Sequence, residues 1–186
     1  MKKITIKLVV LAMALFANFA GKAQVEFNHS VGGGLYASAN SGGGYALVYS
    51  PRLNLTELSD ELSISLGSHL GAGLEFSSNS RSGSSGSFIL DIPVVAELNF
   101  GHACSSNSSA GFGGFVGAGF GFNKMSYDNG VMSSDRNATG VVLNGGFRTN
   151  LIREQSVTLR VSYMLASDGN GDILGLGLTY NIGDFN

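Results

Sequence analysis

The chain contains no tryptophan, one cysteine and two prolines, and only 13% of its residues are charged. Each scarcity excludes something. A lone cysteine, Cys104, rules out an intramolecular disulfide. It lies in the polar segment 101–111 and reads as an inert loop cysteine. Two prolines, Pro51 and Pro93, leave no Pro-rich linker, and 28 glycines without a three-residue period exclude a collagen-like chain. No basic stripe exists to neutralise phosphates, so nucleic acid is not an expected partner. After residue 23 there is no helix-length apolar run, yet mean hydropathy is positive at +0.19. The apolar residues must therefore be spread along the chain.

The beginning is different. Lys2, Lys3 and Lys7 precede an apolar core from Leu8 to Phe19, followed by Gly21-Lys22-Ala23. This is the pattern of a cleaved secretory signal spanning residues 1–23, too short for a transmembrane helix. Residues 24–186 form one expected domain. The signal removes Lys2, Lys3, Lys7 and Lys22 and no acidic residue, leaving 7 Lys+Arg against 13 Asp+Glu, a formal charge of −6.

What is present is alternation. In the segment 62–76, Leu62, Ile64, Leu66, Leu70, Ala72, Leu74 and Phe76 share one phase. Ser63, Ser65, Gly67, His69, Gly71, Gly73 and Glu75 share the other. Strand side chains alternate between faces, so the segment has one apolar face and one small, polar face. Strands of soluble proteins usually have about 5–6 residues, whereas a membrane strand needs about 9–11. The pattern predicts strands at about 25–38, 43–55, 61–77, 86–100, 111–124, 139–151, 155–166 and 172–183. The expected fold is all-β: an eight-stranded antiparallel up-and-down transmembrane barrel, apolar phase to lipid and polar phase to the lumen. The facing of Ala46 and Val48 stays open.

With the N-terminus starting on the periplasmic side, the outer loops are 38–44, 77–87, 124–139 and 166–172. The inner turns are 55–61, 101–111 and 150–155, of which 101–111 is long for its side. Phe76, Phe88, Phe100, Phe112, Phe122, Phe147, Tyr163 and Tyr180 supply an interfacial girdle in place of tryptophan.

The sequence resembles the small eight-stranded outer-membrane β-barrel family of Gram-negative bacteria, porin-like in its domain type. The resemblance is carried by the signal ending Lys22-Ala23-Gln24, the strand 88–100 (FILDIPVVAELNF) and the ending 175–186 (GLGLTYNIGDFN). It implies the outer membrane as location, lipid as surroundings and the barrel-assembly machinery as a partner during insertion. The family's terminal aromatic insertion signal is displaced here, since Phe185 is next to last and out of phase with Tyr180 and Ile182.

The inward ionisable residues Glu26, Arg52, Glu97, Arg148 and Arg160 all fall in the inner half of the lumen and are expected to form a structural charge cluster. An eight-stranded barrel is just wide enough to be filled by side chains. Asp91 and Glu75 fall high, where outer water makes a partner unnecessary. Gly113, Gly117, Gly119 and Gly121, with Gly175 and Gly177, leave either room for long arginines or a small ligand cavity. His29, His69 and His102 pair with no evident Ser or Asp, so catalysis is not expected. Asp168-Gly169-Asn170-Gly171-Asp172 begins like a calcium loop, but Ile173 replaces the required Gly and Thr179 the terminal Glu, which favours a hairpin turn. No cofactor is expected. The expected function is a non-enzymatic barrel that anchors exposed loops, structural or adhesive, with an extracellular ligand reached through those loops. Alternatives are a narrow porin-like channel or small-ligand carrier, an accessory barrel of an envelope or secretion system and, more remotely, a lipid-modifying enzyme.

Overall fold

The computed structural model describes residues 26–38, 42–76, 88–105, 108–128, 133–152, 155–169 and 171–182. The signal segment and Phe185 lie outside them. The strands are β1 (Glu26–Ser38), β2 (Gly42–Ser59), β3 (Leu62–Gly67), β4 (Leu70–Phe76), β5 (Phe88–Gly101), β6 (Phe112–Asp128), β7 (Ser133–Ile152), β8 (Gln155–Ala166) and β9 (Ile173–Asn181). Except for β3 and β4, neighbours in the chain pair antiparallel, and β9 returns to pair with β1, which closes the sheet. β3 and β4 lie end to end between β2 and β5, so nine segments make eight staves.

The interruption has a local cause. In the register that pairs Gly67 with Val95 and Gly71 with Asp91, His69 stands opposite Pro93. Proline has no N–H to give the ladder. The Ser68 hydroxyl instead donates to the Pro93 carbonyl.

Closure fixes the barrel's shape. From Asn28 the register runs through Arg52, Gly67, Val95, Gly119, Val142, Met164 and Ile173, and returns to β1 at Ser38. The path comes back ten residues along the strand it left, and that displacement is the shear. Ten residues of shear around eight strands tilts them by about 40°. Every residue named on this path points inward, so the shear keeps the two faces separate through the whole turn.

The outer face is apolar: Leu35, Leu47, Leu66, Leu74, Val94, Val116, Phe120, Leu143, Leu159, Leu176 and Leu178 are all exposed. A water-soluble protein does not present a belt of this kind, whereas a lipid-facing surface requires it. The interior is polar toward the end carrying both termini. Toward the loop end it holds a small apolar core of Tyr36, Ala46, Ile89, Val95, Met125, Ala138, Val142, Met164 and Ile173. Ala46 and Val48 face inward.

The strands differ in length from the sequence expectation at two places. β2 continues to Ser59, leaving only Asp60 and Glu61 as a turn. The hairpin of β6 and β7 runs on past residues 124 and 139, pairing Lys124 with Asn137 and Asp128 with Ser133. Polar residues mark solvent exposure, which alternation reads as loop, but an exposed hairpin can extend its backbone ladder without any apolar face.

Candidate functional site

The lumen is the site where the ionisable residues meet. Glu97 on β5, Arg148 on β7 and Arg160 on β8 occupy inward positions because each falls in the polar phase of its strand. One Glu97 carboxylate oxygen lies 3.5 Å from Arg148 and the other 3.5 Å from Arg160. The Asn144 amide donates to the same carboxylate at 2.6 Å. Arg148 and Arg52 both donate to the Asn99 Oδ1, at 2.7 and 3.4 Å. The Phe115 ring lies under both Arg148 and Arg160, 4.3 and 5.1 Å from its centroid. Glu26 stands apart, at the rim, accepting from Asn54 at 3.2 Å.

Glycine makes this density possible. A Cβ on Gly117 would come within 2.4 Å of the Asn144 amide oxygen and 3.0 Å of the Glu97 side chain. Gly67 faces the Glu97 carboxylate at ordinary contact distance. Neighbouring side chains also crowd Gly121 and Gly175, and two cavities among the inward residues described measure only about 10 and 20 Å³.

The long turn after β5 explains its own length by folding into the mouth at the termini end. Gly101 and Ala103 take positive φ, 68° and 58°, which turns the chain inward. Ala103 and Cys104 are buried. Arg52 donates to the Ala103 carbonyl at 2.7 Å; Asn54 and Ser63 donate to that of Cys104, and Ser105 to that of Asp60. The His102 ring nitrogen Nδ1 donates to the Ala110 carbonyl at 2.9 Å. Burial holds the His102 imidazole below its ordinary range, partly offset by that carbonyl, and burial also pushes the Cys104 thiol up. Neither is a poised nucleophile or base. Cys104 is an internal residue of this plug.

Asp91 departs from expectation. It is buried, not bathed in outer water, and accepts from Asn123 at 2.9 Å with His69 Nε2 at 3.9 Å. The tilt and the long β6–β7 hairpin carry the wall well past its level, which depth counted from strand ends underestimates. The Glu75 side chain lies outside the described residues. His29 is on the outside beside Tyr49. At the loop end, Asp172 accepts from Tyr163 at 2.6 Å and from the Ala166 N–H at 3.1 Å, and Asp168 accepts from the Thr139 N–H at 3.3 Å. Both carboxylates thus serve the hairpin. Among the described residues no three His, Cys, Asp or Glu side chains gather as metal ligands.

Asn54, Asn99, Asn144, Ser63 and Phe115 belong to the site although charge alone did not select them. Their signal is the inward phase they share with the arginines.

No protein-family model matches the chain, and no curated protein matches it in sequence. Solved structures do match in shape. The attachment invasion locus protein Ail of Yersinia pestis is 12% identical with a TM-score of 0.58, over 86% of this chain and 98% of that one. Ail in complex with the heparin analogue sucrose octasulfate gives a TM-score of 0.60 at the same identity and coverage. Neisserial surface protein A is 13% identical with a TM-score of 0.53, over 86% and 98%. The N-terminal barrel of Pseudomonas aeruginosa OprF is 14% identical with a TM-score of 0.52, over 86% and 100%. With its closed sheet, apolar belt and polar lumen, the chain has the fold of these small eight-stranded outer-membrane β-barrels.

Proposed function

We propose that this barrel is a non-enzymatic membrane anchor whose lumen is closed and whose loop end carries the contacts. The observation that supports it is the double closure of the interior: the Glu97–Arg148–Arg160 cluster and the Cys104 turn at one end, and the Tyr36–Met164 core at the other. In this reading residues 1–23 are a signal removed before Gln24, the termini face the periplasm, and the barrel-assembly machinery inserts residues 24–186. Outer-membrane lipid surrounds the wall, and an extracellular ligand is met through the loops. The formal charge of −6 on the mature chain disfavours the polysulfated ligand seen with Ail, so a protein or neutral surface fits better.

The test is planar-bilayer recording of the purified barrel beside mass spectrometry of lipid A incubated with it. Background current and unchanged lipid A are expected. A steady unitary conductance would replace the anchor with a narrow channel, and deacylated lipid A with an enzyme.

A further inference from the structure

We propose that the lumen, on the side of the termini, binds one small monovalent inorganic anion of chloride size, held by Arg160, Asn28 and their neighbours. A cavity of about 20 Å³ lies there, room for one ligand near the size of a water molecule. Its walls are donors: the guanidinium groups of Arg52, Arg148 and Arg160, the Asn28 amide, and the Ser50 and Thr158 hydroxyls. Among the described residues, no carboxylate lines it. Two of these donors find no acceptor within the protein, the Nδ2 of buried Asn28 and the Nε of Arg160.

The local charge points the same way. Three guanidiniums line the cavity itself, whereas the carboxylates of this half, Glu97 and the neighbouring acids Glu26 and Glu57, do not. Positive charge facing an unfilled space in a side-chain-filled interior is costly. Water could satisfy the orphan donors but not the charge. A monovalent anion satisfies both, and the cavity is too small for a phosphate or an organic acid. The ion would sit inside the wall whatever the loops touch.

The test is thermal unfolding of the folded barrel in halide-free detergent buffer, with sodium chloride or sodium gluconate added at equal ionic strength. Gluconate is too large to enter. Chloride should raise the midpoint saturably, by about 3 °C or more, and gluconate should not. Arg160→Met should abolish the difference between the two salts, and Asn28→Leu serves the same purpose if the first variant does not refold. Crystals soaked in bromide should show an anomalous peak between Arg160 and Asn28. Equal midpoints in the two salts, a chloride effect that survives both substitutions, or a cavity holding only water after the soak would overturn the assignment.

Discussion

The guanidinium of Arg148 lies over the face of Phe115, 4.3 Å from the ring centroid, while its Nη2 sits 3.5 Å from Glu97. Among the described residues, Phe115 thus serves as the apolar floor on which the arginines of the charged half lie. Cation–π attraction is worth more in such a desolvated place than at a surface. Phe115→Ala should remove the floor and leave a void beside charged groups. Its cost should be about 3–5 kcal/mol, as for other buried phenylalanines, read as a lowered urea midpoint. Phe115→Tyr keeps the ring and should cost much less.

Glu97 and Glu26 make a controlled pair of substitutions. Glu97 is shared by two arginines and an asparagine, whereas Glu26 accepts from Asn54 at the rim. Glu97→Gln leaves buried arginines without their countercharge and should cost about 3–5 kcal/mol, less where water reaches the site. Glu26→Gln should lower the urea midpoint only slightly. Equal effects would mean that the cluster does not close the lumen. Current through the Glu97→Gln protein, absent from wild type, would show that the pairing also seals a passage.

The facing of the wall is tested by Leu66 and Gly67, adjacent residues on opposite faces. Leu66→Arg places a charge toward lipid and should cost about 2–4 kcal/mol if it sits near the midplane. Gly67→Ser should be nearly neutral, because the atoms nearest its Cβ belong to the Glu97 carboxylate, at 3.5 Å or more. Refolding into lipid vesicles followed by urea titration reads both.

His102 gives the plug a pH dependence. Burial lowers its folded-state affinity for a proton, so the neutral ring is the one the fold prefers. Below its ordinary value of about 6.5 the unfolded chain takes up a proton that the folded barrel resists. Stability from this group is therefore fully present above that pH and is lost as pH falls through the folded value. The slope of the unfolding midpoint between pH 7 and 5 should be steeper in wild type than in His102→Gln. Identical slopes would remove His102 from the plug's energetics.

The alternation of strands such as β5 and β9 made the barrel legible, because lipid outside and polar groups inside force a period of two. Arg52, Glu97, Arg148 and Arg160 could be placed on the inner face by parity alone. Three things could not. The plug is written in a polar segment whose composition resembles any solvated loop, and only Gly101 and Ala103 in positive φ turn it inward. The interruption of β3–β4 depends on Pro93 meeting His69, which requires the register. The depth of Asp91 cannot be counted from strand ends, because tilt and hairpin length decide it and neither is local.

The plug itself can be unseated from a position that touches no charge. A Cβ on Gly113 would fall 2.4 and 2.5 Å from the His102 backbone nitrogen and oxygen and 2.6 Å from the Phe100 carbonyl. All three are backbone atoms, which cannot swing aside as a side chain can. Gly113→Ala should therefore push the turn out of the mouth while leaving the strands and their lipid face intact. Cys104 reports the event. Its thiol is buried in the native barrel, and burial also keeps it protonated, so a maleimide should label wild type slowly without urea and quickly with it. In Gly113→Ala, labelling without urea should approach the rate seen in the unfolded chain, with the folded barrel's gel mobility retained. Slow labelling in a variant that still folds would mean that the turn seats itself without the space Gly113 provides. Fast labelling of wild type in native buffer would mean that the plug is open to water in solution.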